Sequence, residues 1–250
     1  MIHKKDVIVG LGEIGLPITK LISKSITTVG FDTDEKLVNL KRLKKYKFVP
    51  TDLLHICIPY NKGFVNSVVD LVEMFNPKAV VIHSTVKPYS TENLQKKLTI
   101  PVLYSATRGV HKRMIKDLKR YTKFYSVYHR APKSQWASKT YENRMKKAGI
   151  KAKKMSTPLV LEFAKIIVDT SYYAWLITYA QVSNIIAKRN KIDYDEMWSF
   201  AEEIQKFLKN RPKMFPGLIG GHCIIPNLDL INNDTIRLIK KLNSTYAKIV

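Results

Sequence analysis

Cysteine is scarce: the 250 residues hold two, Cys57 and Cys223. Two thiols exclude a disulfide framework and are too few for a four-cysteine zinc site. No metal site is expected, and a reduced, cytoplasmic setting is the default. No apolar run reaches the roughly 18 residues that a membrane-spanning helix needs. The N-terminal stretch up to Asp6 lacks the long apolar region and small-residue cleavage site of a signal peptide. Acidic residues are also few, 20 Asp+Glu against 43 Lys+Arg, for a net charge of +23. Such a field attracts polyanions, phosphorylated ligands and anionic surfaces, and says nothing about fold. Apolar residues are plentiful at 45%. With this length they supply the core of one large globular domain or two modest ones.

The first ninety residues read as strands alternating with helices. Asp6-Val7-Ile8-Val9 ends in Gly10-Leu11-Gly12-Glu13-Ile14-Gly15, a helical stretch follows through Ser23, and a second apolar run, Thr27–Phe31, ends at Asp32. This is strand, G-x-G-x-x-G, helix, strand, acid. Gly10 allows the tight turn, Gly12 lets backbone approach a pyrophosphate, and Gly15 lets the helix pack closely on the strand. The helix N-terminus offers N–H groups and partial positive charge to phosphates. Asp32 stands 22 residues after Gly10, where a carboxylate binds ribose hydroxyls and repels a 2′-phosphate. NAD is therefore expected over NADP. Further strands are expected at 53–59, 79–83 and 101–104, with a helix over 64–75. The fold class is α/β, a Rossmann-type and mostly parallel sheet. Ligands bind beyond the carboxyl ends of such strands, where Pro59, Ser84, Thr85 and Ser105 fall. Cys57 reads as a small core residue within a strand.

From Arg108 to Lys154 there are 16 Lys+Arg against two acids, a net +14. Aromatics are interleaved, but no known nucleic-acid-binding motif accompanies them, so nucleic acid is not the expected partner. A solvated lysine-rich face is the plain reading, and attraction of an anionic substrate the more specific one. Pro158 then opens an apolar-periodic segment reaching about Arg189, with Ser156 or Thr157 as cap. A helix this long commonly bridges domains or subunits. Glu162, Lys165 and Asp169 share one face at ideal helical spacing, and ordinary surface charge accounts for them on spacing alone. A second helix is expected over 194–209. The loop Phe215–Pro226 then brings Gly217, Gly220, Gly221, His222 and Cys223 together between prolines. Glycine backbone allows close substrate approach, and a thiol beside a histidine can be activated as a nucleophile.

These segments, in this order, resemble the UDP-glucose/GDP-mannose dehydrogenase family, and within it the UDP-N-acetylmannosamine dehydrogenase type. The carriers are the glycine loop through Pro17, Val29–Asp34, Ile56-Cys57-Ile58-Pro59, Ser84-Thr85-Val86-Lys87-Pro88, Glu162-Phe163-Ala164-Lys165 and Gly220-Gly221-His222-Cys223-Ile224. The resemblance implies an NAD-dependent oxidoreductase acting on a primary alcohol or aldehyde of a sugar-like, anionic small molecule, in the family a nucleotide sugar. It implies a Cys223 thiohemiacetal, a thioester released by water, Lys165 stabilising oxyanions with Asp169 beside it, and Thr85 near the nicotinamide. Cofactor contacts are expected from Gly10, Gly12, Glu13, Ile14, Gly15, Asp32, Pro59, Ser84 and Thr85. Substrate contacts are expected from Lys165, Lys213, Gly220, Gly221 and His222. A NAD-binding Rossmann domain over 1–155 and a helical domain over 156–250, dimerising through the long helix, complete the expectation.

Departures stand beside it. Asp169 replaces a family Asn, and Thr107 a Glu. Asn227 replaces an Asp, unless Asp229 is its equivalent. Tyr60 replaces a Thr, and Lys213 an Arg. The resemblance covers the first two of three family domains, which reads as a shortened member. Two alternatives stay open: a catalytically impaired NAD-binding regulatory or interaction protein, and a nucleic-acid-binding derivative of the fold.

Overall fold

The computed structural model describes residues 4–221 and 223–249. It divides into two compact units, Met1–Phe163 and Ala164–Val250.

The first unit is built on a seven-stranded sheet of order β2-β1-β3-β4-β5-β6-β7. The strands are β1 Lys5–Val9, β2 Thr27–Phe31, β3 Thr51–Ile56, β4 Ala79–Ile82, β5 Val102–Tyr104, β6 Lys123–Val127 and β7 Ala152–Lys154. All neighbours pair in parallel except β5 and β6. Between them run α1 Gly15–Ile22, α2 Leu40–Lys45, α3 Phe64–Phe75, α4 Ser90–Lys97, α5 Met114–Arg120, α6 Ser134–Lys147 and α7 Pro158–Phe163. The expected Rossmann-type, mostly parallel sheet is present.

Alternation along each strand explains the two-faced burial. Ile8 and Leu53 face a core with Ile18, Leu21, Tyr125 and Tyr141. Val7, Val9, Leu54 and Ile56 face the other core with Phe64, Val68 and Leu94. Successive strand residues point to opposite faces, so a sheet covered on both sides reads as continuous apolar runs. The order reverses between β1 and β3, and at such a switch point the carboxyl ends of the strands open a ligand crevice.

In the second unit, helical backbone starts with a π-helical segment, Ala164–Ser171. It is followed by α8 Tyr172–Arg189, α9 Tyr194–Leu208, α10 Ile224–Leu228 and α11 Asp234–Ala247. Ala174, Ile219, Leu228, Ile236 and Ile239 form its small core. The chain is helical throughout 158–189, as the apolar period implies, and Thr157 is the side chain that caps its start, its Oγ1 accepting from Val160 N–H at 3.2 Å. The π turn was not foreseen. Its i→i+5 geometry has no residue-type signature comparable to a proline or a glycine cap.

Candidate functional site

The glycine loop leaves β1 at Gly10, whose φ of +88° is costly for any residue with a Cβ. Gly10 N–H donates to Phe31 O at 2.9 Å, and Leu11 N–H donates to the Asp32 carboxylate at 2.5 Å. Asp32 thus sits against the loop, with its second oxygen accepting from Asp34 N–H at 3.0 Å. A Cβ on Gly15 would fall 1.7 Å from Gly10 O, so this glycine is where the helix meets the turn. Gly12 is different, because a Cβ there would meet nothing within 4 Å. No side chain caps α1 at Ile14, and its first turn holds no acid. An open, glycine-floored space beside an uncapped helix start suits a pyrophosphate, with Asp32 nearby for ribose hydroxyls. The residues present therefore fit NAD.

Other expected contacts are placed as follows. Glu13 is exposed and pairs with His111 Nδ1 at 2.7 Å. Ile14 is half-buried and packs against the core. Pro59 is exposed just beyond β3. Ser84 is buried and its hydroxyl donates to Ile58 O at 2.5 Å, which ties the ends of β3 and β4 together. Thr85 follows it, half-buried. Ser105 is different in role, since its hydroxyl is spent on Phe124 O and Tyr141 Oη.

Cys57 corrects an expectation. It lies just past the end of β3 and is half-buried rather than within the strand. It sits under the glycine loop, where its Cβ would be 3.2 Å from a Cβ on Gly15. Burial pushes its thiol up to about 12, with the positive charge of Lys123 acting the other way.

Glu162 belongs to the first unit. It is 1% exposed and accepts from Tyr89 N–H at 2.7 Å, Thr91 N–H at 2.9 Å and the Thr91 hydroxyl at 2.6 Å. Its carboxylate therefore holds the start of α4 and a left-handed Tyr89, φ +72°. Burial raises its pKa, and the bonds from Thr91 and Tyr89 oppose that rise. Thr107, which stands at a family Glu position, is also structural: its hydroxyl accepts from the buried Lys123 ammonium at 2.9 Å.

In the second unit, Lys165 and Asp169 lie in the π segment and are bonded at 2.5 Å. The Lys165 side chain is 12% exposed and that of Asp169 38%. The Thr170 hydroxyl donates to Lys165 O across five residues, at 3.1 Å. Helix α10 packs against this segment, and Cys223, exposed, immediately precedes α10. Gly220 and Gly221 are exposed, Gly221 with φ +76°. His222 lies outside the described residues. Lys213 pairs with Asp195 at 2.7 Å and Glu202 at 2.9 Å. Asp229, the alternative equivalent of a family Asp, pairs instead with Lys240 at 2.6 Å.

The cysteine loop is held by residues that local sequence reading missed. Asn243 of α11 accepts from Ile219 N–H at 2.8 Å and donates to Ile219 O at 3.1 Å. Gln181 of α8 donates to Gly217 O at 2.7 Å and to Asn243 Oδ1 at 2.8 Å. Tyr246 donates to Pro216 O at 3.1 Å. The only local hint was that these polar residues fall on the apolar faces of their helices.

No family model and no curated protein matches the sequence. Solved structures do match the fold. The UDP-D-ManNAc dehydrogenase of Pyrococcus horikoshii superposes with a TM-score of 0.80 at 17% identity, over 98% of this chain and 69% of that one. A UDP-glucose dehydrogenase from the hyperthermophilic archaeon Pyrobaculum islandicum gives 0.74 at 16%, over 100% and 68%. The 3-hydroxyisobutyrate dehydrogenase of Mycobacterium tuberculosis, solved with L-serine, gives 0.69 at 13%, over 100% and 94%. At these identities the likeness is one of fold: this chain has the fold of UDP-sugar dehydrogenases over about two thirds of their length, and of a hydroxyacid dehydrogenase over nearly all of its length.

Proposed function

We propose that the chain is an NAD-dependent dehydrogenase that oxidises a primary alcohol or aldehyde of a sugar-like, anionic small molecule. The observation that carries the reading is the glycine loop, with Gly12 facing open space beside an uncapped α1 and Asp32 bonded to the loop. On this reading residues 1–155 bind the cofactor and residues 156–250 form a helical, dimerising domain. Gly10, Gly12, Glu13, Ile14 and Gly15 hold the pyrophosphate, Asp32 the ribose hydroxyls, and Pro59, Ser84 and Thr85 border the nicotinamide. NAD, when bound, supplies the acceptor for the electrons removed from the substrate. Lys165 donates hydrogen bonds to the substrate oxygen as negative charge develops there, with Asp169 positioning its ammonium. Cys223 adds to an aldehyde carbon to give a thiohemiacetal. Loss of a hydride to the NAD acceptor, with a proton, turns this adduct into an acyl thioester, from which water releases the carboxylate and regenerates the thiol. Gly220, Gly221, His222 and Lys213 contact the substrate. A homodimer through the long helix is supported by Tyr172, Tyr179 and Ile186, which repeat every seven residues on α8 and are each more than half exposed.

A second reading is a dehydrogenase of a small hydroxyacid in which Lys165 acts and Cys223 does not. The 94% coverage of the hydroxyisobutyrate dehydrogenase favours it. One experiment separates the readings: NADH formation is followed with UDP-sugars and with 2- and 3-hydroxyacids, for the wild type, Cys223→Ser and Lys165→Met. Turnover of a UDP-sugar that both variants abolish supports the first reading. Hydroxyacid turnover that survives Cys223→Ser supports the second. NAD binding with no turnover of either panel overturns both and leaves a NAD-binding regulatory protein.

A further inference from the structure

The first unit holds a concavity along the amino-terminal ends of the sheet's strands. It encloses about 1140 Å³. Its floor is built by residues that lead into parallel strands: Lys5 at the start of β1, Thr51 at the start of β3, and Pro77 and Pro101 just before β4 and β5. These are amino-terminal ends, whereas the glycine loop and Thr85 follow carboxyl-terminal ends. One wall is the edge-to-face pair of Phe31 and Phe75, with ring centroids 5.3 Å apart. Trp136 forms another part of the lining, with the Lys78 ammonium 5.9 Å from its ring.

The charge of the lining is of one sign. Among the described residues five lysines border the concavity, Lys5, Lys44, Lys47, Lys78 and Lys133, and no aspartate or glutamate does. Lys78 is neutralised from outside by Asp52 at 2.9 Å. Among the described residues no carboxylate pairs with the other four. Lys5 is 5% exposed, and its ammonium donates to Tyr46 O at 2.7 Å and Lys47 O at 3.1 Å. A buried cation satisfied only by carbonyls lacks a countercharge, and burial lowers its pKa accordingly. The same two bonds fix the rim segment that bears Lys47 and the largely exposed Phe48. Apolar walls bordered by lysines with no facing carboxylate are features of a site for a small anion rather than of a solvated lysine face.

We propose that this concavity is a second ligand site, for a small organic anion that combines an acidic head group with an apolar body. The head group is held by Lys44, Lys47 and Lys133 at the rim and by the field of Lys5, and the body lies against Phe75, Trp136 and the prolines. The proposal does not rest on the dehydrogenase reading, which its failure would leave intact.

The test uses the intact chain and 1-anilinonaphthalene-8-sulfonate, an aromatic sulfonate whose fluorescence reports binding. One saturable site per chain is expected, undisturbed by saturating NAD. The three rim lysines carry it, so Lys44→Gln/Lys47→Gln/Lys133→Gln weakens binding about tenfold through the loss of three solvent-screened attractions. Raised salt acts the same way. Decanoate competes, whereas decanol and decyltrimethylammonium do not. An unchanged melting temperature of the triple variant shows that the loss is not unfolding. Binding that ignores both the triple substitution and salt overturns the proposal, as does equal competition by decanol or displacement by NAD.

Discussion

Gly12 and Gly15 lie three residues apart in one loop, and the structure assigns them opposite reasons for being glycine. A Cβ on Gly15 would stand 1.7 Å from Gly10 O, a backbone atom that no side-chain rotation can move. Gly15→Ala therefore forces α1 away from β1. Overpacking of this kind costs about 1–3 kcal/mol or more, and for a chain of this size each kcal/mol lowers the melting temperature by about 2–4 °C. A Cβ on Gly12 would meet nothing within 4 Å, and its backbone is not in the left-handed region. Gly12→Ala is therefore neutral, or stabilising by about 0.4–1 kcal/mol through the unfolded chain. If the open space holds a pyrophosphate, the new methyl group occupies its place. Losing one charge-assisted hydrogen bond, about 1.5–3 kcal/mol, weakens NAD binding about ten- to a hundredfold. Thermal melts and a NADH fluorescence titration on the two variants read both quantities. The expected pattern is crossed: Gly12→Ala keeps its stability and loses NAD, while Gly15→Ala loses stability. A Gly12→Ala protein that binds NADH with unchanged affinity refutes the placement of the phosphates.

Three further outcomes follow from buried groups. Glu162→Gln exchanges a carboxylate that accepts three hydrogen bonds for an amide whose NH2 must face a donor. A loss of about 2–4 kcal/mol is expected in denaturant titrations, and wild-type stability in this variant would show that the start of α4 is held otherwise. His83 is fully buried and bonded to His55 at 2.9 Å; burial first, then Lys123 and His55, hold it well below the ordinary histidine value. The unfolded chain then takes up the proton at higher pH than the folded one. Stability is present above about pH 6.5 and is lost as pH falls below it, by up to about 1.4 kcal/mol per pH unit. His83→Gln should flatten that slope, and an unchanged slope would place the proton uptake elsewhere. Finally, with its thiol pushed up to about 12, Cys57 should resist iodoacetamide at pH 8 while the exposed Cys223 is alkylated, so mass spectrometry should find one adduct on the native chain and two after denaturation.

What the sequence made legible was local. The strand–glycine loop–helix–acid series depends on residues adjacent in sequence, and it is present with Asp32 against the loop. Helix α3 occupies Phe64–Phe75, the span its apolar period marked. The antiparallel β6 was hidden because it lies in the basic segment, where Lys123 and Arg144 looked like surface charge. Lys123 is 5% exposed and donates to Ser105 O at 2.9 Å, while Arg144 reaches Asp6 at 2.8 Å and Asp52 at 3.3 Å. Two cations of the +14 stretch are thus internal fixings of the sheet, and a solvated face describes only the others. The π turn was hidden for another reason. Its i→i+5 geometry leaves no mark in residue type, and Glu162, which ordinary surface charge accounted for on spacing alone, is buried and bonds the start of α4.

The cysteine loop shows where local reading ends. Its composition marked it as unusual, but composition says nothing about what holds it. Its glycines confer freedom rather than shape, and the structure puts the restraint on distant helices. Asn243 bonds both polar groups of Ile219, Gln181 bonds Gly217 and Asn243 together, and Tyr246 bonds Pro216. Two of these three residues lie in α11, twenty or more positions beyond Cys223. The segment after the cysteine is therefore the scaffold of the loop rather than an appendage to it. Any geometry that Cys223 offers a substrate is inherited from hydrogen bonds that a motif search confined to the loop cannot see.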